Sequence, residues 1–277
     1  MALPETLSLV YHAAEPYPRE IPLRDVYRSL ALDGSPDRPY VILNMVQTLD
    51  GAVAIDGTAW TLGSEVDHYL FRTLRGWADA VLSGAGTLRL NDVVATTHPH
   101  LQAERAAAGR SANPAAVVVS RRAEFDEAML AKRFFTRRDI VSIVLTTDLV
   151  RPSDRRRIED AGAEVLVTPA TAGGDVDLAA SARLLAARGM TRILAEGGPT
   201  TNRHLVDAGL LDELFLTVTP RLAGVPDPAR IVTGLLGGER VDLTVISEFQ
   251  YRAPELKEWY LRFAVEPSAG TAVGARR

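Results

Sequence analysis

Hydrophobic positions along the chain follow two patterns that alternate. Short apolar runs at residues 40–46 (YVILNMV), 78–82, 115–119, 140–145, 164–167 and 192–195 read as strands, most of them buried. Between them the apolar spacing becomes helical. This happens over residues 65–76, with Ser64 placed to cap, over 153–161, with Ser153 as cap, and over 178–188. Strand–helix alternation predicts a mostly parallel sheet with helices on its faces. Three later runs, 213–219, 243–249 and 259–265, have no helical pattern between them. Antiparallel pairing among these would make the sheet mixed.

No linker divides the chain, so one α/β domain is expected over residues 39–265. Residues 1–38 carry weak periodicity and several prolines and read as an extended arm. Residues 266–277 (EPSAGTAVGARR) are small and polar and are expected to be disordered.

Composition narrows the function classes. Of 277 residues, 47% are apolar and 24% charged, as in ordinary soluble domains, and the net charge is −4. Of the 31 basic residues only Lys132 and Lys257 are lysine. Arginine-rich usage without a clustered basic surface argues against nucleic-acid binding. The run Arg155-Arg156-Arg157 falls inside a predicted helix and reads as a solvated face. With no cysteine, disulfides, thiolate metal sites and cysteine nucleophiles are excluded. His98 and His100 flank Pro99 in an expected loop and form no metal set, and His68 and His204 read as structural. The absence of a signal-like N-terminus and of a long apolar span points to a cytoplasmic protein with no membrane partner.

Chemistry gathers at the strand ends. Residues 194–209 (LAEGGPTTNRHLVDAG) place Glu196 directly after a buried run and before Gly197, Gly198, Pro199 and Thr200. Ligands of open parallel sheets sit beyond the carboxyl ends of strands. There, glycines allow close backbone approach, and the next helix offers free amides to a phosphate. Pro199 suits a first helical turn. A ligand-free tight turn would use the same residues. Ser83-Gly84-Ala85-Gly86-Thr87 is a second glycine-rich turn after a strand, and Asp50-Gly51 ends a third. The last is also a common turn pair.

These segments resemble a known family. "NMVQTLDG", "WADAVLSGAGTLRLND", "RILAEGGPTTNRHLVDAGLLDEL" and "TVTPRLAG" are similar, in order and over residues 38–265, to the reductase domain of bifunctional riboflavin-biosynthesis deaminase-reductases. The resemblance implies a dihydrofolate-reductase-like fold with about nine strands, NADPH as hydride donor and a homodimer. It also implies reduction of the ribosyl group of a 5-amino-6-ribosylaminouracil phosphate. The zinc deaminase of the bifunctional members, with its His-x-Glu and paired cysteines, is not expected here. After Asn91-Asp92 the chain runs Val93-Val94-Ala95-Thr96, without the arginine that often meets substrate phosphate in the family. Reduction of a dihydropterin, or NADP binding without catalysis, therefore stand as alternatives. By this resemblance Asp50 and Glu196 are the candidate catalytic residues, with Asp50 anchoring substrate and relaying a proton. Asn44, Trp60, Ser64 and Asp92 join them around the substrate. Thr48, Gly84, Gly86, Thr87, Ser120, Arg121, Arg122, Gly197, Gly198, Pro199 and Thr200 are assigned to the cofactor. Ser120 and one of the two arginines would meet its 2′-phosphate.

Overall fold

The computed structural model describes residues 3–266 except 56, 235–239, 254 and 255. Two N-terminal strands, β1 (Thr6–His12) and β2 (Arg19–Pro22), precede β3 (Tyr40–Thr48). Helix α1 (Glu65–Trp77) then leads to β4 (Ala80–Gly84), α2 (Ala85–Leu90), α3 (Pro99–Ala107) and β5 (Ala115–Val119). Short helices α4 (Glu127–Leu130) and α5 (Arg133–Thr136) precede β6 (Ser142–Thr147), α6 (Pro152–Ala161), β7 (Glu164–Thr168) and α7 (Leu178–Ala186). The chain closes with β8 (Arg192–Ala195), α8 (Pro199–Asp207), β9 (Glu213–Thr219), β10 (Leu243–Ala253) and β11 (Leu256–Val265).

All strands join one eleven-stranded sheet in the order β2-β1-β10-β11-β9-β3-β8-β4-β5-β6-β7. From β9 to β7 every neighbouring pair is parallel, and β11, β10, β1 and β2 add on antiparallel. The count exceeds the expected nine because β1 and β2 also pair into the sheet. Leu7 and Leu9 on β1 alternate inward and are each 1% exposed. The hydroxyls of Thr6 and Ser8 donate to Glu20 on β2.

The apolar runs are continuous because both sheet faces are covered. Ile42, Val81, Ala116 and Val144 face α1, α5 and α6, meeting Val66, Leu70, Leu74, Phe134 and Ile158. Their neighbours Val41, Leu43, Leu82, Val117 and Ile143 face α7 and α8, meeting Leu178, Ala182, Leu185 and Leu205.

Ser64 caps α1 as expected, its Oγ accepting the amides of Val66 and Asp67. Two local expectations are corrected. Helix α6 begins at Pro152, with Arg151 in the cap position, so Ser153 lies inside the first turn. Proline's fixed φ and missing N–H suit that first position. Residues 98–100 are no loop: Pro99 opens α3, and His98 sits at its N-cap with Nε2 2.9 Å from the Tyr69 carbonyl. The tail expected to be disordered lies, apart from Glu266, outside the described residues. Among the described residues no helix is long and apolar enough to cross a membrane.

Candidate active site

Strand β8 lies between β3 and β4, and the chain passes it on opposite faces. The β3–α1–β4 crossover covers one face, and the β8–α8–β9 crossover covers the other. Such a reversal opens a crevice at the carboxyl ends of these strands. Glu196, Gly197 and Gly198 leave β8 at that point. The Glu196 amide donates to the Leu82 carbonyl at 2.9 Å and the Gly84 amide to the Gly197 carbonyl at 3.2 Å, tying the two glycine-rich turns together.

Two cavities open there. One, of about 480 Å³, is lined by Gly84, Gly86, Thr87, Gly197, Gly198, Pro199 and Thr200, and by Ser120 and Arg121 farther along the sheet. The other, of about 330 Å³, is lined by Asn44, Trp60, Asp92 and Glu196 together with Asp67, His68, Phe71, Arg72, Arg75 and Arg133. Met45, Ala59, Thr87, Asn91 and Glu196 border both, so ligands in the two cavities would meet across that wall.

The larger cavity suits an elongated phosphate-bearing cofactor. Gly198 takes the N-cap position of α8 without a side-chain cap, and the helix amides behind it carry the positive end of the dipole. Gly197 and Gly198 have φ of +102° and +88°, a region L side chains rarely adopt. A Cβ on Gly84 would stand 2.6 Å from Thr201 Oγ1. Ser120 Oγ accepts the Ala123 amide, and Arg121 is exposed with Asp175 at 3.8 Å. Arg122 is exposed and lines neither cavity, so of the two arginines only Arg121 borders the larger one.

Glu196 is held from α1. Arg75 Nε and Nη2 donate to its two carboxylate oxygens at 2.6 and 2.7 Å, with the Arg75 and Glu196 side chains 11% and 7% exposed. Arg75 Nη1 donates to the Val94 carbonyl at 2.8 Å, and its guanidinium lies 4.1 Å from the Phe71 ring centre. This fork fixes the wall between the cavities and the 93–96 segment at once. Trp60 stacks on His68 with centroids 3.8 Å apart. Asp92 accepts the Arg133 and Phe134 amides at 3.1 and 3.3 Å, so it places Arg133 at the cavity as the first residue of α5. Neither the Arg72 nor the Arg133 guanidinium has a carboxylate within 4.0 Å among the described residues.

Besides Arg122, three expected site residues are elsewhere. Asp50 and Thr48 line neither cavity. The Asp50 carboxylate accepts the Thr48 hydroxyl and the amides of Ala223 and Gly224, the latter at 2.9 Å, and so fastens the 48–51 turn to the 221–224 loop. Ser64 also lies off the cavity, its Oγ donating to Glu258 at 2.5 Å while capping α1. The donors on Asp50 hold its pKa down to about 2, Thr48 contributing most. A carboxyl lowered in the folded state adds stability above its unfolded value near 3.8, and this is lost as pH falls through 2. Asp50→Asn should therefore lower Tm modestly at pH 7, and the gap to the native chain should narrow on acidification in thermal melts. A gap independent of pH would contradict this.

Sequence reasoning missed Asp67, Phe71, Arg72 and Arg75. Their spacing of four, one and three residues puts them on one side of α1, a polar and aromatic stripe that a core-facing helix has no need of.

A family model described as the RibD C-terminal domain matches residues 39–250. The chain belongs to the RibD C-terminal domain family. It is 30% identical over 197 residues to the 2,5-diamino-6-ribosylamino-4(3H)-pyrimidinone 5′-phosphate reductase of Methanothermobacter thermautotrophicus, covering 71% of this chain and 85% of that protein. It is 28% identical to the reductase of the same name from Archaeoglobus fulgidus, with 71% and 87% covered. Among solved structures, a pyrimidine reductase-like protein from Corynebacterium diphtheriae superposes with a TM-score of 0.70 at 23% identity, covering 90% of this chain and 96% of that one. That likeness carries the fold, and the family membership carries reductase chemistry with a nicotinamide cofactor. The site residues that β8, β4 and α1 bring together lie within the matched span. Among the described residues no group of three or more His, Asp or Glu side chains is placed to hold a metal ion.

Proposed function

We infer that this RibD-family protein is an NADPH-dependent reductase of a ribosylaminopyrimidine 5′-phosphate of the 5-amino-6-(5-phosphoribosylamino)uracil type. The observation that carries this reading is the shared wall. A cofactor seated on the glycine turns and a pyrimidine among Asn44, Trp60 and Phe71 would touch at Thr87, Asn91 and Glu196. When bound, the cofactor supplies a hydride to the ribosylamino carbon. The chain supplies position, which is worth much of the barrier when reacting atoms are held in contact. The stacked Trp60–His68 pair offers an aromatic face to a planar base. Asn44 offers an amide with no protein partner among the described residues to the base's polar edge. Arg72 and Arg133, whose guanidinium groups have no carboxylate within 4.0 Å among the described residues, can take the substrate phosphate in place of the arginine that the 91–96 segment lacks. Glu196, already forked to Arg75, orients the loop between the two ligands.

Arg121 beside Ser120 supports NADPH over NADH, because a guanidinium matches the geometry of the 2′-phosphate. The deciding assay follows NADPH oxidation with a ribosylaminopyrimidine phosphate and, separately, with dihydrofolate. Turnover of the first alone supports the proposal. Turnover of dihydrofolate alone would make the protein a pterin reductase, and cofactor binding with neither reaction would make it a non-catalytic NADP-binding protein. In the same assay Arg121→Ala should raise the KM for NADPH about tenfold, one charge-assisted contact, and leave NADH nearly unchanged. Equal loss for both cofactors would remove Arg121 from the 2′-phosphate. We further propose a cytoplasmic homodimer. Leu243 and Val245, 42% and 37% exposed on β10, give it an apolar patch, and light scattering at 30.0 kDa would contradict the dimer.

A further inference from the structure

We propose that Asp67 is the acid that protonates the substrate nitrogen, and that Glu258 behind it is the positioning residue that keeps it protonated. The proposal rests on the reductase reading above and names a group that reading leaves unused. Asp67 stands in the first turn of α1 and borders the same cavity as Asn44, Trp60 and Glu196, yet the residue is only 7% exposed. Its carboxyl lies against Gly63, where a Cβ would come within 2.0 Å of Oδ2, so the glycine leaves room for it. Among the described residues no cation lies within 4.0 Å of it.

The groups facing Asp67 come from four elements. Glu258 and Tyr260 lie on β11, Thr217 on β9, Tyr27 on the segment before β3, and His68 follows it on α1. The Thr217 hydroxyl faces the Asp67 carboxyl and favours its ionised form. Glu258 is the better-served of the two carboxyls. It accepts the Ser64 amide at 3.0 Å, the Ser64 hydroxyl at 2.5 Å and the Tyr260 hydroxyl at 2.6 Å. Three donors converge on Glu258, whereas Asp67 has no cation within 4.0 Å among the described residues. Burial is the larger influence and the Glu258 charge adds to it, and together they push Asp67 up to about 7, against the pull of Thr217. An acid that still holds its proton near neutral pH and borders a ligand cavity is suited to general-acid work.

The step balances as follows. The open-chain imine carbon of the substrate receives a hydride, with its electron pair, from the reduced nicotinamide, which leaves oxidised. The π pair of C=N moves to nitrogen and takes the Asp67 proton, so C=N becomes CH–NH. The Asp67 carboxylate then regains a proton from solvent.

The test compares native enzyme, Asp67→Asn and Glu258→Gln, using NADPH and a ribosylaminopyrimidine phosphate across pH. In the native enzyme kcat should fall as pH rises through the Asp67 titration. Asp67→Asn should lower kcat about 100-fold and abolish that fall, with NADPH binding by fluorescence unchanged. Glu258→Gln removes the like charge, so the fall should begin at lower pH. Infrared difference spectra of the ligand-free protein supply a readout separate from turnover: a protonated-carboxyl band that titrates near neutrality and is missing in Asp67→Asn. An active native enzyme whose Asp67→Asn variant keeps kcat within threefold and the same pH profile would overturn the proposal, as would absence of that band. If the native enzyme does not turn over this substrate, the functional reading fails and the donation step with it. A band present in that case marks the failure as one of substrate, not of the proton on Asp67.

Discussion

Arg75→Ala is expected to be the most damaging single change in the substrate cavity, for stability and for turnover together. The substitution leaves the Glu196 carboxylate, 7% exposed, without the guanidinium that satisfies both of its oxygens. Breaking a buried pair by removing one partner costs about 3–5 kcal/mol, because the surviving charge stays desolvated and unpaired. For a chain of this size that is a Tm drop of about 6–15 °C. The same change frees the Val94 carbonyl and so loosens the 93–96 wall. A displaced wall between two reacting ligands should lower kcat/KM by about 100-fold or more. Arg75→Lys keeps the charge but not the planar fork, so it should recover stability better than activity.

Pairing the change with Glu196→Gln separates the two losses. If the stability cost is the orphaned carboxylate, Arg75→Met with Glu196→Gln should regain most of the Tm, since a neutral amide is far cheaper to bury. Activity should not return, because the fork that sets the wall is still gone. Additive Tm losses in the double variant would mean that the ion pair is not what these residues share.

The contrast between Arg75 and Glu196 also explains what could be read from sequence. Glu196, Gly197 and Gly198 were legible because their meaning is local. A carboxylate and two glycines directly after a four-residue buried strand, before a proline-opened helix, mark a strand-to-helix turn at the carboxyl edge of the sheet by themselves. Arg75 lies 121 residues from its partner, inside a helix whose apolar face accounts for its pattern, so only the fold joins the two. The parallel half of the sheet was legible for the same local reason, as uninterrupted apolar runs separated by helical period. Strands β1 and β2 were not. They are short, β2 is mostly exposed, and their identity depends on the neighbour β10, more than two hundred residues away.

Asp50 lies outside the two cavities for an instructive reason. An aspartate before glycine at a strand end has two good uses, meeting a ligand or accepting backbone amides, and both require the same residue type. The amides of Ala223 and Gly224 fill the role here, and sequence distance again conceals them. Asp67 shows the opposite case. Its place in the polar stripe of α1 gains meaning only once α1 is placed with Glu258 behind it and the cavity in front. Function in this fold is therefore split. The larger cavity is written in contiguous turns, whereas the smaller is assembled from one face of α1 and the ends of distant elements.

Gly86→Val is expected to weaken cofactor binding about 100-fold while leaving the fold intact. The glycines of the larger cavity have different reasons to be there. Gly84 cannot carry a Cβ without meeting Thr201 Oγ1 at 2.6 Å, and Gly198, at φ +88°, would strain any L residue. Both are required by the protein itself. Gly86 is not. It sits in the first turn of α2, and a Cβ there meets nothing within 4 Å. A helical glycine costs about 0.5–1 kcal/mol relative to alanine, so folding alone would favour a side chain at this position. The space it keeps open belongs to the cavity that it lines. Gly86→Ala should then raise Tm slightly and weaken NADPH binding about tenfold, and Gly86→Val should weaken it about 100-fold with stability within about 0.5 kcal/mol of the native chain. Gly84→Val should lose both, because its Cβ collides with protein before any ligand arrives. Titration calorimetry with NADPH, beside thermal melts of the ligand-free variants, separates the two classes. Native-like NADPH affinity in Gly86→Val would mean that the cofactor does not approach this turn, and the seat drawn across Gly84, Thr87 and Gly198 would have to move away from α2.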